Sequence, residues 1–141
     1  MYLTRMIGGL LPLAFGGILL VGCSKSGKSV SDFMPSTDNG RNALEAALNY
    51  WKAGNPPGTV PGTTPPVEVV DAKWKAAPKQ LKEFEITGED APGADSTSRY
   101  FKVRLTMKSG TTQDVRYVVV GIDPLWVYGE KDFDALSGGM K

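Results

Sequence analysis

A helical pattern of apolar residues lies over residues 39–53. Apolar side chains recur there every three or four positions, at Ala43, Leu44, Ala47, Leu48 and Trp51. Polar residues occupy most of the remaining positions, which is typical of an amphipathic helix that packs one face on a core. Candidate N-cap residues precede it at 36–38, and Gly54 follows it as a stop signal. The pattern therefore predicts one amphipathic helix, which we expect to pack on a sheet.

Alternation of apolar and polar residues predicts strands in the second half of the chain. It is clearest over residues 99–108, where Phe101, Val103, Leu105 and Met107 alternate with polar side chains. This alternation is typical of a half-buried antiparallel strand. The segment 113–122 is apolar on both faces, which indicates a central strand covered on both sides. Weaker patterns predict three more strands, at residues 67–75, 81–87 and 125–129, and a helical turn at residues 130–136.

These elements predict one α+β domain, in which the N-terminal amphipathic helix packs on a four- to five-strand antiparallel meander sheet. Their order resembles that of the cystatin-like and nuclear-transport-factor-2-like folds, in which a curved sheet wraps a helix. The resemblance extends over most of residues 37–129. Residues 116–133 are also similar to the C-terminal part of small uncharacterised bacterial lipoproteins, a resemblance that implies no known activity.

The N-terminus has the pattern of a secretory signal peptide. Arg5 gives the charged start, an apolar run follows over residues 6–21, and small residues stand at its end. The run is short and glycine-rich for a bilayer span. Its end, Leu20-Val21-Gly22-Cys23, resembles the lipobox of bacterial lipoproteins. That resemblance implies cleavage before Cys23 and a diacylglyceryl group on the cysteine sulfur.

This interpretation divides the chain into four parts. They are a signal peptide (residues 1–22), a lipidated tether (residues 23–36), a single α+β domain (residues 37–136) and a disordered tail (residues 137–141). Acyl chains such as palmitate stabilise an anchor without any help from charge. Ser24, rather than an aspartate, follows the cysteine. By the same resemblance, this residue implies a place in the cell envelope at the outer membrane, facing the periplasm.

Charge and composition exclude several partners and chemistries. The chain has 16 basic and 15 acidic side chains, and Arg5 is the one charged residue of the signal peptide, so the mature part is nearly neutral. A neutral surface does not steer a protein toward nucleic acid or anionic lipid, so any membrane contact of the domain must come from something other than charge. The single cysteine precludes an internal disulfide, and the absence of histidine removes the commonest metal ligand and general base. We expect no metal, cofactor or nucleic-acid partner.

Residues 22–29 match the phosphate-loop pattern G-x-x-x-x-G-K-S letter for letter. The mechanism of that loop requires a buried strand before it and a helix after it, so that backbone N–H groups meet the phosphates. Here the signal peptide precedes the match, and cleavage removes Gly22. Residues 30–35 are too short and too polar for the required helix. We therefore expect no nucleotide binding.

Two interpretations remain open for the aromatic and acidic residues of the domain. A possible ligand cleft would combine Trp51, Asp71, Trp74, Trp126 and Tyr128, although large rings also supply much of the core of a small domain. Asp71 is the one acid that we nominate as a general base, with Tyr50 or Tyr128 as its hydrogen-bond donor. Alternatively, Asp71 is a solvated strand residue.

Two functional hypotheses follow from these observations. The first is a non-catalytic, lipid-anchored binding or interaction module that contacts an envelope protein or a small ligand. The second is a small pocket enzyme that uses the Asp71 carboxylate as its base. An enclosed pocket around Asp71 would favour the enzyme, whereas an open face would favour the binding module.

Overall fold

The computed structural model describes residues 33–91 and 96–138, which form an α+β structure with one mixed sheet. In chain order, its elements are α1 (Thr37–Lys52), β1 (Thr59–Val60), β2 (Val67–Val70), α2 (Ala72–Ala76), β3 (Leu81–Asp90), β4 (Ser98–Met107), β5 (Thr112–Val120), β6 (Leu125–Gly129) and α3 (Glu130–Gly138). The predicted signal peptide, Cys23 and residues 24–32 of the predicted tether lie outside the described residues. Within the two described ranges, no helix has the length and hydropathy that crossing a membrane requires.

Helix α1 occupies the position that the apolar periodicity predicts. It begins after Ser36, whose Oγ accepts a hydrogen bond from the N–H of Asn39 at 3.0 Å. It ends before Gly54, which has a φ of +94° and so adopts the left-handed conformation that follows many helices. All five apolar residues of the predicted stripe are buried. The amphipathic helix is therefore confirmed, with bounds that differ by one or two residues.

The sheet has six strands in the order β1-β2-β6-β5-β4-β3. Strands β3 to β6 form the predicted antiparallel meander. Strand β2, however, pairs with β6 in parallel, with Val67 opposite Leu125 and Val70 opposite Tyr128. The prediction of a four- to five-strand, wholly antiparallel sheet is therefore wrong. Local alternation shows which residues form a strand, but the partner of β2 lies far along the chain and leaves no local signal.

The predicted strand at 67–75 is also wrong beyond its first four residues. Strand β2 ends at Val70, and Asp71 is the N-cap of the short helix α2. Its carboxylate oxygen Oδ1 accepts hydrogen bonds from the N–H groups of Lys73 and Trp74. These bonds satisfy helical donors that have no partner inside the helix. The capping aspartate therefore turns the chain into a helix, although the apolar alternation continues.

The two faces of the sheet are covered differently. Helix α1 packs on the face that carries the alternating apolar residues of β4. Helix α3 reaches the opposite face, where the ring of Phe133 lies 6.4 Å from that of Tyr100 and 5.5 Å from that of Tyr128. Both Val118 and Val119 of β5 are fully buried although they face opposite sides. The prediction that this strand is central and covered on both sides is confirmed.

Candidate functional site

The five residues predicted to form one cleft lie in three separate places. Trp51 and Trp74 are fully buried beneath α1, where their rings stack with centroids 5.2 Å apart. Trp126 and Tyr128 stack with each other on the opposite face of β6, with centroids 6.0 Å apart. Asp71 lies beyond the end of β2. The structure therefore does not bring the five side chains together. Successive residues of a strand face opposite sides of the sheet, and Trp126 and Tyr128 lie on the side away from the core that holds Trp51 and Trp74.

The buried tryptophans are core residues whose polar atoms are satisfied. The indole N–H of Trp51 donates to the carbonyl of Ala77 at 3.0 Å, and that of Trp74 donates to the carbonyl of Asn55 at 2.7 Å. Each bond attaches one helix to the loop that follows the other helix. Both rings therefore stabilise the fold and leave no surface for a ligand.

Asp71 is a buried, hydrogen-bonded carboxylate, with only 5% of its surface exposed. Besides capping α2 through Oδ1, it accepts through Oδ2 a hydrogen bond of 2.6 Å from the hydroxyl of Tyr117. The alternative of a solvated strand residue is wrong, and so are Tyr50 and Tyr128 as its donors. Tyr117 was missed because β2 and β5 are brought close by β6, which pairs with both of them. The one signal in the sequence was the alternation that places Tyr117 on the apolar face of β5.

A cavity of about 360 Å³ adjoins this pair. It lies where β6 ends. The last residue of β6, Gly129, pairs with Tyr117 of β5. The residues of β5 before Tyr117 have no strand beside them on that side among the described residues. The beginnings of α2 and α3 form its other walls. Lys73 is held there by Gln113, whose Oε1 accepts a hydrogen bond from Nζ at 2.6 Å. Most of the residues that line the cavity have polar or charged side chains.

Two carboxylates approach each other at this cavity because Gly129 has no side chain. Asp132 accepts a hydrogen bond from the N–H of Ala72 at 3.2 Å. A Cβ on residue 129 would lie 2.9 Å from Oδ2 of Asp132 and 3.3 Å from Oδ1 of Asp71. No group of three or more acidic, histidine or cysteine side chains that could hold a metal ion occurs within residues 33–91 and 96–138.

The surroundings shift the pKa values of Asp71 and Tyr117 in the same direction. Burial raises the pKa of Asp71, and the charge of Asp132 adds to this effect, whereas the hydrogen bonds from Tyr117 and the helix N–H groups oppose it. Burial also raises the pKa of Tyr117 well above its usual value, and the nearby Asp71 carboxylate raises it further. Tyr117 therefore keeps its proton at neutral pH and remains a hydrogen-bond donor.

The raised pKa of Asp71 predicts a specific dependence of stability on pH. A carboxyl group whose pKa is higher in the folded state contributes most to stability at low pH, and this contribution falls as the pH rises from the ordinary value of 3.8 through the folded-state pKa. Urea titrations at about pH 4 and pH 7 test this. We expect the free energy of unfolding of the wild type to decline relative to that of Asp71→Asn. A wild type that gains on the variant over this range would contradict the raised pKa.

Several charged side chains at the cavity form ion pairs. Arg116 binds Asp90 and Glu130, each at 3.2 Å, and its guanidinium lies 4.7 Å from the centre of the Tyr100 ring. Arg104, further along the same face, binds Asp114 at 2.9 Å. These pairs neutralise Arg116 and Arg104, in keeping with the near-neutral charge of the chain.

Comparisons with models of protein families, with curated proteins and with solved structures found no match to this chain.

Proposed function

We propose that this chain is a bacterial lipoprotein, held at the periplasmic side of the outer membrane through lipid on Cys23, and that its domain is a non-catalytic binding or interaction module. The observation that carries the proposal is the lipobox-like end of the apolar run, Leu20-Val21-Gly22-Cys23. Both the residues and their distance from the N-terminus fit a processed lipoprotein. The partner is an envelope protein or a small ligand.

The arrangement around Asp71 supports a non-catalytic role. A general base needs an oxygen that reaches the proton of the substrate. The carboxylate of Asp71 already accepts two hydrogen bonds from the start of α2 and one from Tyr117, and it is almost completely buried. These contacts hold β2, α2 and β5 together. The cavity beside them, whose lining includes Lys73, Gln113 and Asp132, is the place that we propose for a small ligand.

Replacement of Cys23 by alanine tests the anchor. In cells supplied with labelled palmitate, we expect the wild type to carry the label and to fractionate with the outer membrane, because two or more acyl chains make attachment stable. Cys23→Ala is expected to lose the label and to leave the outer-membrane fraction. Ser24→Ala is the matched control, and it should behave as the wild type does.

Two outcomes of this experiment would contradict the anchor. One is a Cys23→Ala protein that stays in the outer membrane to the same extent as the wild type. The other is a purified wild-type protein whose mass corresponds to an intact Met1 and an unmodified thiol.

A small pocket enzyme is the second candidate, and the Asp71–Tyr117 pair is the observation that favours it. A carboxyl group with a raised pKa beside a cavity is a common feature of acid–base catalysis. The enzyme requires that Asp71→Asn keep the fold and abolish turnover. A panel of chromogenic esters and glycosides, assayed with the wild type and with Asp71→Asn, distinguishes the two candidates. Turnover that depends on Asp71 would favour the enzyme over the binding module.

A further inference from the structure

Four large apolar side chains are strongly exposed among the described residues. The exposed fractions are 53% for Phe33, 40% for Val70, 47% for Ile122 and 53% for Leu136. Single exposed apolar residues are common on protein surfaces and need no explanation. Two of these four, Phe33 and Ile122, share one end of the sheet, and it is the end at which the chain arrives from Cys23.

The strand register places these two residues at the same end. Phe33 lies two residues before Pro35, whose carbonyl accepts a hydrogen bond from Nε of Arg99. Arg99 is the second residue of β4 and pairs with Val119 near the end of β5. Ile122 follows the end of β5 by two residues. We call this part of the molecule, where β4 begins and β5 ends, the tether-proximal end.

The contacts at this end hold Phe33 close to the sheet. Arg99 also binds Glu89 of β3 at 2.7 Å, and both of these side chains are largely buried. The guanidinium thus connects the segment before α1 to strands β3 and β4. Because that segment is attached to β4 through Pro35, the exposed Phe33 lies within two residues of the sheet end.

The place where the chain from Cys23 joins the domain favours one surface for contact with the membrane. About ten residues separate Cys23 from Phe33, and a chain of that length spans at most about 35 Å. The opposite end of the sheet is the β4–β5 turn. It is separated from the tether-proximal end by the length of β4, whose ten residues span about 33 Å. The tether-proximal end therefore has the shortest path to the lipid. The far end has the longest.

From these observations we infer that the tether-proximal end rests on the lipid surface, with Phe33 and Ile122 inserted at the boundary between headgroups and acyl chains. The inference depends on the lipid anchor proposed above. Apolar side chains are the means of contact that a nearly neutral domain has available, since it lacks the charge for electrostatic attraction. Interfacial insertion buries apolar groups by about 5–10 Å, a depth that two side chains beside exposed polar loops can reach.

Position 122 can be examined directly in the lipidated protein. With Cys23 acylated, an Ile122→Cys substitution supplies one free thiol for an environment-sensitive fluorophore. Ser109→Cys, in the exposed β4–β5 turn, is the matched control at the far end. Each labelled protein is reconstituted into phosphatidylethanolamine–phosphatidylglycerol vesicles that contain nitroxide-labelled lipid. We expect quenching at position 122 to exceed that at position 109 by about twofold or more.

A second pair of variants tests whether the native side chains, and not the attached fluorophore, cause the insertion. In the labelled Ile122→Cys protein, Phe33→Ser is expected to reduce quenching, because it removes the other inserted side chain. Val70→Ser is expected to leave quenching unchanged, because Val70 pairs with Tyr128 at the other end of β2 and β6. Equal effects of the two substitutions would overturn the inference.

Flotation of the vesicles distinguishes failure of this inference from failure of the proposed function. A protein that does not float with the vesicles has no working anchor, and the proposed function fails with it. A protein that floats but is quenched equally at positions 122 and 109 keeps its anchor and overturns the inference. Quenching at position 122 that requires native outer-membrane vesicles, and is absent with pure lipid, would also overturn it, because the contact would then be with a protein.

Discussion

Replacing Trp74 with alanine is expected to lower the free energy of unfolding by about 3–5 kcal/mol, the usual cost of removing a large buried ring. Trp74 is fully buried, stacks on Trp51 with centroids 5.2 Å apart, and bonds the carbonyl of Asn55. Its loss leaves a cavity in the core and removes the hydrogen bond to the Asn55 carbonyl. Since domains are commonly stable by only about 5–15 kcal/mol, this single change removes a large part of the total. Urea unfolding followed by far-ultraviolet circular dichroism measures the effect.

Trp126→Ala is the matched control for this prediction. Trp126 is only partly buried and stacks with Tyr128 on the other face of the sheet. Its removal exposes less new apolar surface and creates no enclosed cavity, so the loss should be clearly smaller. If the two substitutions cost the same, Trp74 does not hold the core position that the structure gives it.

Replacing Asp71 with alanine is expected to lower the free energy of unfolding by about 2–4 kcal/mol. Loss of an N-cap costs about 1 kcal/mol. A buried hydroxyl left without its acceptor, here that of Tyr117, costs about 1–3 kcal/mol more. Asp71→Asn is the matched control. It should retain most of the stability, because its amide oxygen can still cap α2 and an amide is cheaper to bury than an ionised carboxylate.

A double-mutant cycle isolates the hydrogen bond between Asp71 and Tyr117. Tyr117→Phe removes the hydroxyl, so that Asp71→Ala no longer leaves a buried donor without a partner. We therefore expect the double variant to be more stable than the sum of the two single losses implies, by about 0.5–3 kcal/mol. Additive losses would mean that the 2.6 Å contact contributes nothing of its own.

The role of Asp71 shows where sequence reasoning on the site succeeded and where it failed. It singled out Asp71, which stands between apolar residues and near a tryptophan, and this acid is indeed buried and hydrogen-bonded. It assigned the wrong donor and an exposed position, since the alternation at 67–75 predicted that the strand would continue. An aspartate followed by a short run of helix-forming residues is also an N-cap signal, and that signal was overlooked. Tyr117 could not be identified, because its contact with Asp71 depends on the strand order.

Two features of this protein follow from the amino-acid sequence alone. They are helix α1 and the alternating strand β4, whose periodicities of 3.6 and 2 residues are local and strong. The tertiary structure alone decided the parallel pairing of β2 with β6, and with it the Asp71–Tyr117 bond, the cavity and the separation of the predicted cleft residues. The physical reason is that side-chain alternation determines which face of each strand is buried. Which strands lie side by side depends on how all the apolar faces are covered at once, and that is a property of the whole chain.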